Sequence, residues 1–307
     1  MSQNSMQKKN KRRRLFYVLG LSLPVLQFCI FYIGVNFNTI LLAFQRWEVT
    51  GTQGKYVFNG LNNFKDFFLD FKEFEFFGYS LKNSAIAFLA TLVGMALSLF
   101  FSFYVYKKAW GSEFFRTMLF MPKIISAIIL VILFKFFAEN AVPELIETFM
   151  GKKIPGLLDA GGDLNQRFWV ILIFNVWVSF GSYILLFGGA MGGISESIVE
   201  AAQIDGITPL KEFWFITLPM IFPTISTFLL VSIAAIFTNQ MSLFSFYGDK
   251  AEQRLYTFGY YLYRETQKGE LARYPYLASI GLLLTVVTVP MMMGVRKLLN
   301  EFGPSVN

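Results

Sequence analysis

Histidine is absent from this 307-residue chain, and cysteine occurs once, at Cys29. Without imidazole there is neither the usual neutral-pH base nor the commonest metal ligand, and a lone thiol closes no internal disulfide. No catalytic and no metal-ligating residue is therefore assigned. Cys29 lies in an apolar run and reads as a small buried hydrophobe. No segment resembles a nucleotide-binding loop, so if ATP drives this protein another chain must bind it. Charge is scarce too: 15% of residues are charged, and no acidic residue precedes Glu48.

What the chain has instead is apolar surface. Hydrophobic residues make up 55% of it, and Phe alone supplies 37 positions. A soluble all-helical protein of this size would expose apolar patches that aggregate. Six apolar runs are near the roughly 20 residues that cross a bilayer as a helix. They are Leu15–Phe44, Ser80–Tyr106, Phe114–Phe137, Phe168–Met191, Phe213–Asn239 and Tyr276–Val295. No acidic residue falls inside them, as expected where an isolated charge costs several kcal/mol.

Lys8, Lys9, Lys11, Arg12, Arg13 and Arg14 precede the first run, which predicts a cytoplasmic amino terminus. That run is too long for a signal-peptide core and lacks an obvious small-residue cleavage site. The net charge of +7 is spread over many loops, which argues against a nucleic-acid partner. Six crossings then return the carboxyl terminus, with Arg296 and Lys297, to the cytoplasm, and the Lys107–Glu113 and Glu200–Pro219 loops face the same side. The outer segment Asn239–Tyr276 carries Lys250, Arg254, Arg264, Lys268 and Arg273. Asp249, Glu252, Glu265 and Glu270 nearly balance them.

The loop Glu200–Pro219 reads EAAQIDGITPLKEFWFITLP. Glu200, Ala201, Ala202, Gly206, Ile216, Leu218 and Pro219 stand at the spacing Glu-Ala-Ala, three residues, Gly, nine residues, Ile-x-Leu-Pro. The pattern resembles the cytoplasmic loop by which membrane subunits of bacterial ABC importers grip their ATPases. Elsewhere, Phe58–Phe68, Asn83 opening the second span, Pro122 with Phe134–Phe137, and Trp177 leading into GGAMGGISESIVEAA are similar to carbohydrate-uptake permeases of the maltose-permease type. Two departures stand out: Ser242–Asp249 replaces a Thr-Gly-Gly-Gly-Pro stretch, and a Pro expected late in the first span is replaced near Gly34.

Residue chemistry within that loop predicts two short helices and a corner. Ile194, Ile198 and Ala201 share a face; Gly206, next to Asp205, can take positive φ where the first helix stops. Thr208 and Pro209 suit the N-cap and first position of the second helix, and Pro219 and Pro223 mark the bend into the fifth span. An ordinary helix-turn-helix at the membrane surface would share these local features. In the second span, Ala90, Gly94, Ser98 and Ser102 recur every four residues, a face on which a neighbouring helix can approach closely.

Candidate solute contacts are polar groups on inward faces. Ser232, Asn239 and Ser242 are predicted to share a face of the fifth span, with Thr238 beside them. Asn175, Ser179 and Ser182 share one on the fourth, where Trp177 offers a ring for stacking. The resemblance implies that Thr238-Asn239 occupies a sugar-contacting place. Polar groups also serve simply to hold helices together.

The sequence is thus identified as an all-α integral membrane protein with six transmembrane helices and the ABC importer permease fold. It has a basic cytoplasmic tail (1–14), a permease domain (15–297) with its coupling loop at about 192–219, and a cytoplasmic tail (298–307). The resemblance implies translocation of a sugar or oligosaccharide in a bacterial plasma membrane. A second homologous permease, two ATPase subunits that bind Mg-ATP, and an extracytoplasmic solute-binding protein would be its partners. The chain itself would need no cofactor and do no chemistry. An importer for a non-sugar solute and a membrane-embedded transferase are the alternatives.

Overall fold

The computed structural model describes residues 3–51, 53–159 and 162–304, with side chains from Arg13 onward except that of Thr50. Lys8, Lys9, Lys11 and Arg12 of the basic cluster, as side chains, and residues 305–307 lie outside the described residues. In chain order the helices are α1 (Gln3–Gln27), α2 (Val35–Leu42), α3 (Asn62–Glu73), α4 (Glu75–Tyr106), α5 (Ser112–Ile124), α6 (Ala127–Phe136), α7 (Val142–Met150) and α8 (Leu164–Gly192). After these come α9 (Glu196–Ile204), α10 (Pro209–Glu212), α11 (Leu218–Met220), α12 (Phe222–Ala234), α13 (Leu243–Tyr247), α14 (Phe258–Gln267) and α15 (Tyr274–Phe302). Strands β1 (Gln45–Thr50) and β2 (Gln53–Phe58) form one antiparallel hairpin.

Among the described residues, four helices are long and apolar enough to cross a membrane unbroken: Arg13–Leu42, Glu75–Tyr106, Leu164–Gly192 and Tyr274–Phe302. Two bent pairs, Ser112–Ile124 with Ala127–Met150 and Pro209–Met220 with Phe222–Ala234, bring the total to six. The third and fifth predicted spans are therefore not single rods. The third turns through 109° between α5 and α6. Pro122 lies in the last turn of α5 and leaves the helix there without one backbone donor.

The chain divides into two compact units, Met1–Asp70 with Gly269–Leu283, and Phe71–Lys268 with Leu284–Asn307. In the first, the helix starting at Gln3 runs on through the basic segment into the first span. Cys29 is exposed on that span, which corrects the expectation of a buried thiol: the helix has no packed face there to bury it. Asn63, buried in α3, donates from Nδ2 to the carbonyls of Ala43 (2.8 Å) and Gln45 (2.7 Å) and so fixes where the first span hands over to the hairpin. Cross-strand partners Trp47 and Tyr56 meet edge to face.

The second unit is built on α4 and α8, which lie side by side and parallel. Gly94 faces Val176, and further along Ser102 Oγ reaches the carbonyl of Ile184 at 3.3 Å. The small-residue face predicted on the second span is this seam. Gly94, Ser98 and Ser102 are buried, and both hydroxyls also bond the carbonyl one turn back. No polar atom is stranded, and the backbones approach to the distance that small side chains permit. On the other side of α8, Gly181 meets the backbone of Leu119 in α5.

At the amino-terminal ends of α4 and α8 sits the segment from α13 to α14. Asn83 Nδ2 donates to the carbonyls of Arg254 (2.8 Å) and Tyr256 (2.9 Å), and Ser84 Oγ accepts from Phe258 N. The balanced charges of this segment are paired: buried Arg167 with Glu252 at 2.7 Å, and buried Glu265 with Arg264 and Lys268. Burial pushes the phenols of Tyr256 and Tyr260 above the ordinary tyrosine range, so Tyr260 stays a neutral donor to the carbonyl of Gly248 (2.8 Å). At the opposite ends of the helices, Met95, Leu99, Phe187, Met191, Ile194, Phe213 and Ile221 form a buried apolar cluster.

Candidate functional site

Two sites were expected, and both have definite geometry. The first is the loop after α8. Helix α9 ends in a Schellman motif: Ile207 N–H reaches the carbonyl of Ala202 and Gly206 N–H that of Gln203, both at 3.0 Å. Gly206 takes φ +72°, as its place predicts, and nothing lies within 4 Å of where a Cβ would stand. Glycine is needed there for its backbone alone. Pro209 opens α10, with Thr208 at the N-cap in extended geometry; its side chain makes no capping bond. Leu218 packs on the apolar cluster, and Pro219 and Pro223 flank the 69° bend at Ile221.

Within α9 the predicted face is off by one residue. Val199 and Ala202 turn inward below Ile194, while Ile198 and Ala201 point out with Glu200. Ile194 precedes the helix and does not share its phase, so a stripe counted through it was misplaced. The outward surface carries two residues that the motif did not single out. Ile204 and Leu210, on either side of Gly206, are 85% and 66% exposed. Apolar groups exposed at a corner are available to a partner surface. Their signal in the sequence was an apolar residue on each side of a Gly-Pro corner. Glu200 and Asp205 are exposed as well, and Ile216 is half-buried.

The second site is a small cavity between α4, α8 and the segment after α12. Its volume is about 80 Å³, room for a few waters. Asn175, Ser179, Tyr183, Thr91, Asn239 and Met241 line it along with apolar neighbours. Thr91 and Tyr183 were missed, although each sits one helical turn from a residue already noted, Gly94 or Ser179.

The expected helical face of Ser232, Asn239 and Ser242 does not exist. Helix α12 stops at Ala234, and the chain continues in turns to Leu243, with Met241 and Ser242 both left-handed at φ +51° and +55°. Tertiary bonds hold this shape. Asn175 Nδ2 donates to the carbonyl of Met241 (2.9 Å), and its Oδ1 accepts from Ser242 Oγ (2.9 Å). Asn239 Oδ1 accepts from Met241 N, and Thr257 Oγ1 donates to the carbonyl of Asn239. Gly259 lies so close beneath Thr238 that a Cβ would fall 2.5 Å from its carbonyl atoms. Non-helical backbone at such a depth is tolerated where it lines a cavity.

Asn175, Ser179 and Asn239 are thus brought together, and Ser242 stands behind them as part of the clamp. Ser232 bonds the carbonyl of Phe228 in its own helix, and Thr238 is exposed. Trp177 lies among Phe134 and Phe174, away from the cavity.

The comparisons agree with this geometry. A family profile described as binding-protein-dependent transport system inner membrane component matches residues 90–300. The multiple sugar-binding transport system permease protein MsmF of Streptococcus mutans is 26% identical over 87% of this chain and 89% of its own length. The sn-glycerol-3-phosphate transport system permease protein UgpA of Salmonella choleraesuis is 31% identical over 66% of each chain. Among solved structures, a bacterial ABC transporter that imports the acidic polysaccharide alginate has TM-score 0.74 at 19% identity, covering 97% of this chain and 99% of that one. A bacterial alginate ABC transporter in complex with an alginate pentasaccharide-bound periplasmic protein has TM-score 0.73 at 19% identity, covering 96% of this chain and 97% of that one. With the family pattern spanning both the corner loop and the cavity helices, this chain belongs to the binding-protein-dependent transport system inner membrane components.

Proposed function

We propose that the chain is a permease subunit of an ATP-driven importer for a sugar or oligosaccharide. A second permease would complete the pathway. Two ATPases carrying Mg-ATP would seat the corner loop from the cytoplasm, and an extracytoplasmic binding protein would deliver solute to the opposite end. The observation that carries this reading is the corner itself, a helix, a Schellman turn at Gly206 and a second helix, with Ile204 and Leu210 held outward. ATP-driven closure of the ATPases would move that corner, and the movement would change access to the cavity between α4 and α8.

The solute class is supported by chemistry and by relatives. Amide, hydroxyl and phenol groups line the cavity, donors and acceptors suited to sugar hydroxyls. Asn239 uses Oδ1 within its own segment, which leaves its Nδ2 as a donor. The named relatives transport multiple sugars and a phosphorylated polyol, and the solved neighbour imports a polysaccharide. Only a few waters fit the cavity, so a sugar requires the partner permease or an opened state.

The test is assembly. The chain should co-purify with an ATPase, and Ile204→Asp should release that ATPase while the six spans still insert. In a Cys29→Ala background, Ser195→Cys should resist an impermeant thiol reagent in intact cells. Turnover by the chain alone, or labelling of Ser195→Cys from outside, would overturn the proposal.

A further inference from the structure

One buried ion pair outside the motif positions links the corner loop to a different helix from the one it leads into. Lys107 ends α4, and its Nζ bonds both carboxylate oxygens of Glu212, at 3.0 and 2.9 Å. Glu212 closes α10, and its side chain is 3% exposed, against 23% for Lys107. A carboxylate so shielded is tolerated only with its partner in place. Beside the pair, buried Phe213 sits against the rings of Phe100 and Phe103 at 4.9 and 5.1 Å, two turns and one turn back along α4 from Lys107. Helix α10 runs on through the π-helical turn Phe213–Thr217 into α11, so Pro209–Met220 is one short helix. The ion pair and Phe213 attach this helix to the end of α4.

The two routes from the corner to the cavity differ in continuity. The direct one bends by 69° at Ile221 and loses its helix at Ala234, before the cavity-lining Asn239. The other is α4, which runs without a break from Lys107 past the cavity at Gly94, Thr91 and Ala87. It continues to Asn83, which holds the segment before α14. At 1.5 Å per residue, its 32 residues span about 48 Å.

We propose that Lys107 and Glu212 form a strut that makes α10 and α4 move as one body, so that displacement of the corner reaches the cavity through α4. Lys107 and Glu212 are positioning residues; neither needs to touch solute or nucleotide. The strut rests on the importer reading above.

The experiment uses the complete complex in liposomes, in a Cys29→Ala background. Lys107→Met should insert and assemble, but its transport should fall at least tenfold and its ATP hydrolysis should lose its response to loaded binding protein. Lys107→Arg should keep both. Spin labels at Lys108 and Lys211 should show the same distance with and without trapped ATP, and a broader distribution in Lys107→Met. Wild-type transport and coupling in Lys107→Met, or a nucleotide-dependent shift of the label distance, would overturn the strut. A wild-type complex that moves no sugar would instead count against the importer reading, while the label distance still decides whether α10 and α4 move together.

Discussion

Two places in this chain take the left-handed backbone conformation for opposite reasons. At Gly206 the requirement is met by residue choice: the side chain is missing, and open space surrounds the position. At Met241 and Ser242 it is met by force, with Asn175, Asn239, Thr257 and Gly259 holding two ordinary residues where they would not settle alone. Left-handed geometry costs a non-glycine residue roughly 1–2 kcal/mol. The three hydrogen bonds made by Met241 and Ser242 themselves, at roughly 0.5–1.5 kcal/mol net each, are of the same size as that cost for two residues. The corner is therefore specified by its own residues. The broken helix end is balanced against its neighbours, and small changes around it reshape the cavity.

The sharpest way to break this contrast is at the corner. Gly206→Val places a β-branched residue at φ +72°, an outlier with no means of relief. Transport should fall more than tenfold with insertion unchanged, whereas Gly206→Asn, a residue that tolerates this conformation, should keep most of it. Equal transport by the two variants would show that φ at this position is immaterial.

The next largest effect belongs to the clamp. Asn175→Ala removes bonds to both Met241 and Ser242 and strands a buried carbonyl, at a cost of about 1–3 kcal/mol. Uptake at subsaturating solute should drop several-fold to tenfold. Adding Ser242→Gly should restore part of it, because glycine adopts the turn without strain. If the double variant transports no better than Asn175→Ala, Asn175 acts on solute and not on the backbone.

Asn239→Ala should lower subsaturating uptake by about two- to tenfold, the equivalent of roughly 0.5–1.5 kcal/mol for a lost hydrogen bond. Assembly with partner subunits should persist, and normal uptake at normal expression would remove Asn239 from the pathway. The smallest effect is expected at Trp177, which lies away from the cavity. Trp177→Phe should change uptake less than twofold, and a large rise in half-saturating solute would return this ring to the site.

What could be read from the sequence follows the same division. The spans were legible because length and apolarity decide them, and α4, α8 and α15 lie where the apolar runs predict. The corner was legible because Gly206 and Pro209 carry their backbone preferences with them. The end of α12 was not, since the residues around Ala234–Phe237 are as apolar as the helix before them. What stops that helix is an amide on α8 and a glycine in α14, distant in sequence. Asn175 and Asn239 were found as polar groups in apolar runs, but their division of labour was invisible: one grips backbone with both ends of its amide, the other keeps a donor free.

Gly181 sets a dimension that no side chain can adjust. A methyl group there would stand 2.1 Å from the carbonyl oxygen of Leu119, so α5 and α8 touch main chain to main chain. Asn175 lies six residues away on α8, about 9 Å along the axis. The clamp is therefore measured from a fixed stop, as a gauge is read from its zero. The cavity lining can vary while this spacing stays constant, because the smallest available substitution, one methyl, would already shift the reference.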